Sequence, residues 1–124
     1  MSVSSKVKVS RHSQLVQASW NYLRLLGYLV SPVKNIATPR KRKDGTVGWS
    51  RGKIQPGTAD LLACSPQGRF VAVEIKVRDR NGKLDVLSPE QLRYKTETEQ
   101  RGGLFLEVRE TADTLIQAHK EGVI

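Results

Sequence analysis

Cysteine is nearly absent from this sequence. Cys64 is the only one in 124 residues, so no intrachain disulfide can form, and a reducing compartment is expected. It ends the apolar run Leu61-Leu62-Ala63-Cys64, where a small buried side chain is the expected role. Long hydrophobic runs are missing too. None nears the roughly 20 residues of a membrane-spanning helix, and no apolar signal-type segment follows the N-terminus. A soluble protein with no membrane partner, neither spanning a bilayer nor secreted, is therefore expected. The third deficit is local. Residues 1–43 contain no Asp or Glu but nine Lys and Arg, while the rest of the chain carries twelve of each sign, so the whole net charge of +9 lies in the first third. A polyanion is the partner such an asymmetry implies. Nucleic acid comes before membrane, because no basic helix with a wide apolar face accompanies the charge.

What is present reads as one domain built without staples, for which this length suffices. Residues 1–11 read as a basic, loosely attached tail and 12–124 as the domain. From Ser13 the positions Leu15, Ala18, Tyr22 and Leu26 recur at helical spacing, in a stripe widened by Val16, Ser19 and Leu23, and Gly27 supplies the stop. Tyr28 to Val30 reads as a short strand, interrupted at Pro32 and resuming near Val33. Residues 38–57, with Pro39, the run Arg40-Lys41-Arg42-Lys43 and the turn signal Asp44-Gly45, read as a long basic loop or hairpin tip.

Two apolar strands follow, Asp60 to Cys64 and Phe70 to Val77, joined by a turn centred on Gln67. In the second, Val71, Val73, Ile75 and Val77 share one face and Ala72, Glu74 and Lys76 the other. The hairpin sets Asp60 opposite Glu74, within the short reach of cross-strand neighbours. Ser88-Pro89-Glu90-Gln91 then opens a helix through a capping box, a strand follows from Leu104, and a closing helix spans Thr111 to His119. The order argues an α/β domain with a mixed central sheet flanked by helices.

Two carboxylates and a lysine on one sheet face suit phosphodiester hydrolysis. Hard cations take oxygen ligands and keep several waters, so Asp60 and Glu74 can suffice, with the Ile75 backbone carbonyl as a third oxygen. Lys76 can orient or deprotonate water, or stabilise charge on phosphorus. Each residue has a plainer reading. Glu74 and Lys76 can be an ion pair on a half-exposed face, Asp60 a turn residue, and Gln91 a capping residue only. His12 and His119 read as surface histidines.

Together these residues resemble the PD-(D/E)XK nuclease superfamily and, within it, the VRR-NUC group in its stand-alone phage-type form. The similarity spans roughly Gln14 to Val108. It rests on Tyr22-Leu23-Arg24-Leu25-Leu26-Gly27-Tyr28, Pro56-Gly57-Thr58-Ala59-Asp60-Leu61, Phe70 to Lys76, Leu87-Ser88-Pro89-Glu90-Gln91 and Gly102-Gly103-Leu104. The resemblance implies a restriction-endonuclease-like αβββαβ core. It implies Mg²⁺ or Mn²⁺ held by Asp60, Glu74 and the Ile75 carbonyl, with Lys76 and Gln91 completing the catalytic set. It further implies a homodimer that cleaves branched DNA such as Holliday junctions, in the cytoplasm of a bacterial or phage-infected cell. The family's usual glutamate on the first helix has no counterpart here. Gln14, or less readily His12, falls near that position, and a glutamine offers a metal only a neutral carbonyl oxygen. Lys34, Arg40, Lys41, Arg42, Lys43, Arg51 and Lys53 are the candidate phosphate contacts. The alternative is a nucleic-acid-binding module on the same fold that has lost catalysis.

Overall fold

A computed structural model describes residues 9–34, 38–50 and 54–124, with the backbone alone for residues 38–40, 49 and 50. Helix α1 spans Arg11–Leu25. It starts two residues before the helical periodicity suggested, because the Ser10 hydroxyl accepts the Ser13 N–H at 3.0 Å and caps the first turn. Gly27 ends it at φ 90°, while the Tyr28 N–H returns to the Leu23 carbonyl. The buried stripe is Leu15, Ser19 and Leu23, of which Ser19 and Leu23 were expected only as its flank, while Ala18 is exposed.

Four strands make the main sheet: β1 (Leu29–Pro32), β4 (Leu61–Cys64), β5 (Phe70–Lys76) and β6 (Leu104–Arg109), in the order β1-β4-β5-β6. The first three are antiparallel neighbours, and β5 and β6 are parallel. A parallel pair needs a crossover, and helix α2 (Pro89–Gln100) supplies it. Helix α3 (Asp113–Lys120) closes the chain. Pro32 is tolerated because β1 is an edge strand. Between β1 and β4, residues 38–50 form a separate antiparallel hairpin of β2 (Thr38–Lys41) and β3 (Val47–Ser50). The basic run thus lies on a hairpin strand and its turn. Asp44 builds that turn by accepting the Thr46 N–H and hydroxyl, at 2.9 and 2.6 Å.

The sheet is covered on both faces. Val71, Val73 and Ile75 of β5 pack with Leu15 and Leu23 of α1 and Leu115 of α3. On the opposite face Ala72 packs with Ala59 and Phe105, flanked by Leu62, Leu87 and Tyr94. Six successive residues of β5 are buried as a result. Glu74 and Lys76, sharing the Ala72 face by the two-residue repeat, are drawn inside with it. Cys64 departs from expectation and is exposed. It pairs with Phe70 at the hairpin end, where Phe70 is exposed as well. Among the described residues no helix is long and apolar enough to cross a membrane.

Candidate active site

The β4–β5 register pairs Leu61 with Val73, so Asp60, one step before β4, stands opposite Glu74. Its carboxylate accepts the Ile75 N–H at 2.8 Å. That bond extends the ladder by one rung through a side chain. It also fixes Asp60 at the end of the strand. In an extended strand the N–H and C=O of a residue point to the same side. The Ile75 carbonyl therefore faces the Asp60 side too, where the third oxygen of a cation site was expected.

Glu74 is buried, and its Oε2 has no hydrogen-bond partner among the described residues. Burial above all, then hydrogen bonding to and repulsion from Asp60, push its carboxyl up to about 9, against the attraction of Lys76. A buried carboxylate with an unmet oxygen beside a second carboxylate is a donor set that suits a divalent cation, whose charge removes the repulsion. The residues present therefore fit a hard metal ion. Among the described residues no three His, Cys, Asp or Glu side chains cluster with metal-site spacing. Two carboxylates and a backbone oxygen are what the protein offers.

Lys76 is buried, and its Nζ donates to Gln91 Oε1 at 2.9 Å. The same oxygen accepts the Ser88 N–H at 2.9 Å, while the Ser88 hydroxyl accepts the Gln91 N–H at 3.1 Å. The two readings of Gln91 are thus compatible, since one oxygen both closes the capping box and holds the lysine. Asp85 also lies 3.5 Å from Lys76 Nζ. It sits in the loop before α2, without the periodicity of a strand or helix, and sequence reasoning missed it. The available signal was a carboxylate three residues before a capping box that faces a lysine strand.

Gln14 points away. It is exposed, and its amide donates to the Val9 carbonyl at 3.3 Å. His12 stands beside Asp60 instead, with Nε2 at 3.5 Å from the carboxylate. A clamp steadies this end of α1. Glu110 adopts a left-handed φ of 63° and accepts the Arg78 N–H at 2.7 Å and the Arg11 guanidinium at 2.6 Å. The Arg78 N–H and the Arg11 guanidinium hold its carboxyl below the usual range.

Gly57, at φ 86°, explains the Pro56-Gly57 turn ahead of Asp60. A Cβ there would collide with the Glu90 carbonyl and sit 2.9 Å from the Gln91 nitrogen. The turn packs directly on the first turn of α2, the turn that carries Gln91. Gly57→Ala should therefore cost about 2–5 kcal/mol, combining backbone strain with overpacking. A thermal melt checks this, and an unchanged midpoint would refute the close approach.

Of the candidate phosphate contacts, Lys34, Lys41, Arg42 and Lys43 are exposed. The backbone of Arg40 lies in β2, and its side chain is outside the described residues, as are Arg51 and Lys53 altogether.

No protein-family model matches this chain, and no curated protein matches it in sequence. A solved structure described as "VRR_NUC domain" is similar to it, with a TM-score of 0.61 at 19% sequence identity, covering 90% of this chain and 97% of the other. That likeness shows the fold. The chain has a VRR_NUC-type, restriction-endonuclease-like architecture, a four-stranded mixed sheet between helices.

Proposed function

We propose that this chain is a metal-dependent, structure-selective DNA endonuclease. It would hydrolyse phosphodiester bonds at branched DNA such as Holliday junctions. The observation that carries the reading is the convergence of Asp60, Glu74, Lys76 and Gln91, from two strands and a helix, on one face of a nuclease-type fold. Mg²⁺ or Mn²⁺, held by Asp60, Glu74 and the Ile75 carbonyl, would neutralise the phosphate and acidify a water. The protein's own contribution is positioning. Gln91 and Asp85 both hold the Lys76 ammonium, so that it meets a phosphate oxygen or the attacking water without losing hydrogen bonds elsewhere. The walls around Glu74 exclude bulk water and strengthen each charge interaction.

Binding would rest on backbone phosphates, read by shape. The support is the confinement of net charge to the first third of the chain. Neutralising Lys41, Arg42 and Lys43 together should weaken DNA binding. It should also lower the slope of log affinity against log salt by about 0.7–0.9 for each phosphate that the hairpin no longer neutralises. Fluorescence anisotropy over a salt series measures both, and an unchanged slope would take the hairpin out of the interface. Paired cleavage of a junction needs two sites, which is the reason to expect a homodimer. Light scattering with and without junction DNA tests that directly.

The test of the whole reading is cleavage of labelled four-way junction, flap, single-stranded and duplex DNA with Mg²⁺, Mn²⁺ or EDTA. Cutting that requires metal and vanishes in Glu74→Gln supports the nuclease. Tight binding without cutting under any metal would favour a module retired from catalysis, in line with the missing helix-one acid.

A further inference from the structure

A groove of about 360 Å³ lies between the first turns of α1 and the end of β1, with Asp60 in its lining. That volume is at the lower end of small-ligand pockets, roughly 300–1,000 Å³. Its walls are of two kinds. Trp20, Val16 and Pro32 give apolar and aromatic surface, while His12 and Lys34 give polar surface. His12 joins the groove to the candidate active site, because its imidazole lines the one and lies 3.5 Å from Asp60 of the other. Lys34 is exposed and belongs to the acid-free third of the chain.

On the reading that this is a nuclease, we infer that the groove receives one unpaired nucleotide of the DNA substrate, the neighbour of the phosphate to be cut. A base is a flat apolar ring with polar edges, and an indole or imidazole face is the surface on which unpaired bases stack. Its attached phosphate finds the Lys34 ammonium near Asp60, because the preceding Val33 N–H donates to the Asp60 carbonyl at 2.9 Å. From there the strand passes His12 to the carboxylates, since His12 and Lys34 flank the same Asp60. A base inside a continuous duplex is paired and stacked on both sides, and must leave the stack to enter such a groove, at a cost that is least where pairing is already broken. Selection for branched DNA then needs no base-specific contact. A branch point supplies an unpaired nucleotide beside a phosphate, and an intact duplex does not.

The test is a binding cycle in EDTA, where cleavage does not compete. An abasic position is walked across the branch of a labelled flap, and each substrate is bound by the wild-type protein and by Gln17→Trp. Gln17 is an exposed groove residue of α1 bonded only to Asn21 among the described residues, so an indole there occupies the groove while Glu74, Lys76 and Gln91, which do not line it, are left unchanged. One abasic position should weaken wild-type binding about tenfold, the order of one base stacked on an aromatic ring. Gln17→Trp should bind intact flap about tenfold more weakly than wild type does and be indifferent to the abasic position. Circular dichroism confirms its folding, and Lys34→Gln, outside any helix, serves as the second variant with a smaller loss. Wild-type indifference at every position, or wild-type affinity in Gln17→Trp, overturns the groove assignment even if Glu74-dependent cleavage stands. A protein that binds no DNA overturns the nuclease reading and the groove with it.

Discussion

Glu74→Gln should abolish cleavage and at the same time stabilise the metal-free protein. The folded carboxyl titrates at about 9, against 4.5 in a model peptide. Between those values the fold keeps a proton that the unfolded chain has released, so stability falls as pH rises from about 4.5 to about 9. An amide of the same shape carries no such penalty and can still donate to Asp60. At pH 8 in EDTA the variant should melt several degrees higher than the wild type. At pH 5 the difference should close. Mn²⁺ should raise the melting point of the wild type more at pH 8 than at pH 6, because binding requires the carboxylate form. It should do little for the variant, whose cleavage should drop by at least about 10²–10³-fold. A variant that melts lower than wild type at pH 8 would show that Glu74 is ionised in the metal-free fold.

That prediction depends on burial and charge proximity together, and the sequence carried only part of each. Hairpin arithmetic around Gln67 and the two-residue repeat were enough to place Asp60 opposite Glu74 and to put Glu74, Lys76 and Ala72 on one face. Both are local rules, and the β4–β5 register obeys them. The capping box was legible for the same reason. Depth was not legible, because it is set by Leu87 of the preceding loop and Tyr94 of α2 closing over the Ala72 face. Those residues are remote in sequence from the strand they cover. Asp85 escaped, and His12 ranked behind Gln14 for the helix-one position, for a related reason. Each reaches the site through tertiary placement, one from the N-terminal turn of α1 and one from an aperiodic loop. The β2–β3 hairpin was half visible. Its turn chemistry was read, but Pro39 and four consecutive cations concealed the strand alternation on either side.

Lys76→Met separates chemistry from binding. The aliphatic stem of lysine already lies buried in β5, and methionine conserves most of its volume, so the fold should persist. What disappears is a charged donor held 2.9 Å from Gln91 and 3.5 Å from Asp85. If Lys76 handles a proton or the developing charge, single-turnover cleavage should fall about 10²–10⁴-fold, with little change in DNA affinity in EDTA. Asp85→Asn should have a smaller effect, about fivefold or less, since Asp85 is half exposed and water screens its pull on the lysine. The ordering matters more than either size. Gln91 accepts from both the lysine and the helix N-terminus, so the lysine keeps one fixed partner when Asp85 is neutralised. It has no substitute of its own. Equal losses of affinity and cleavage in Lys76→Met would make the ammonium a phosphate anchor instead. The chemistry would then rest on Asp60 and Glu74 with the cation they hold.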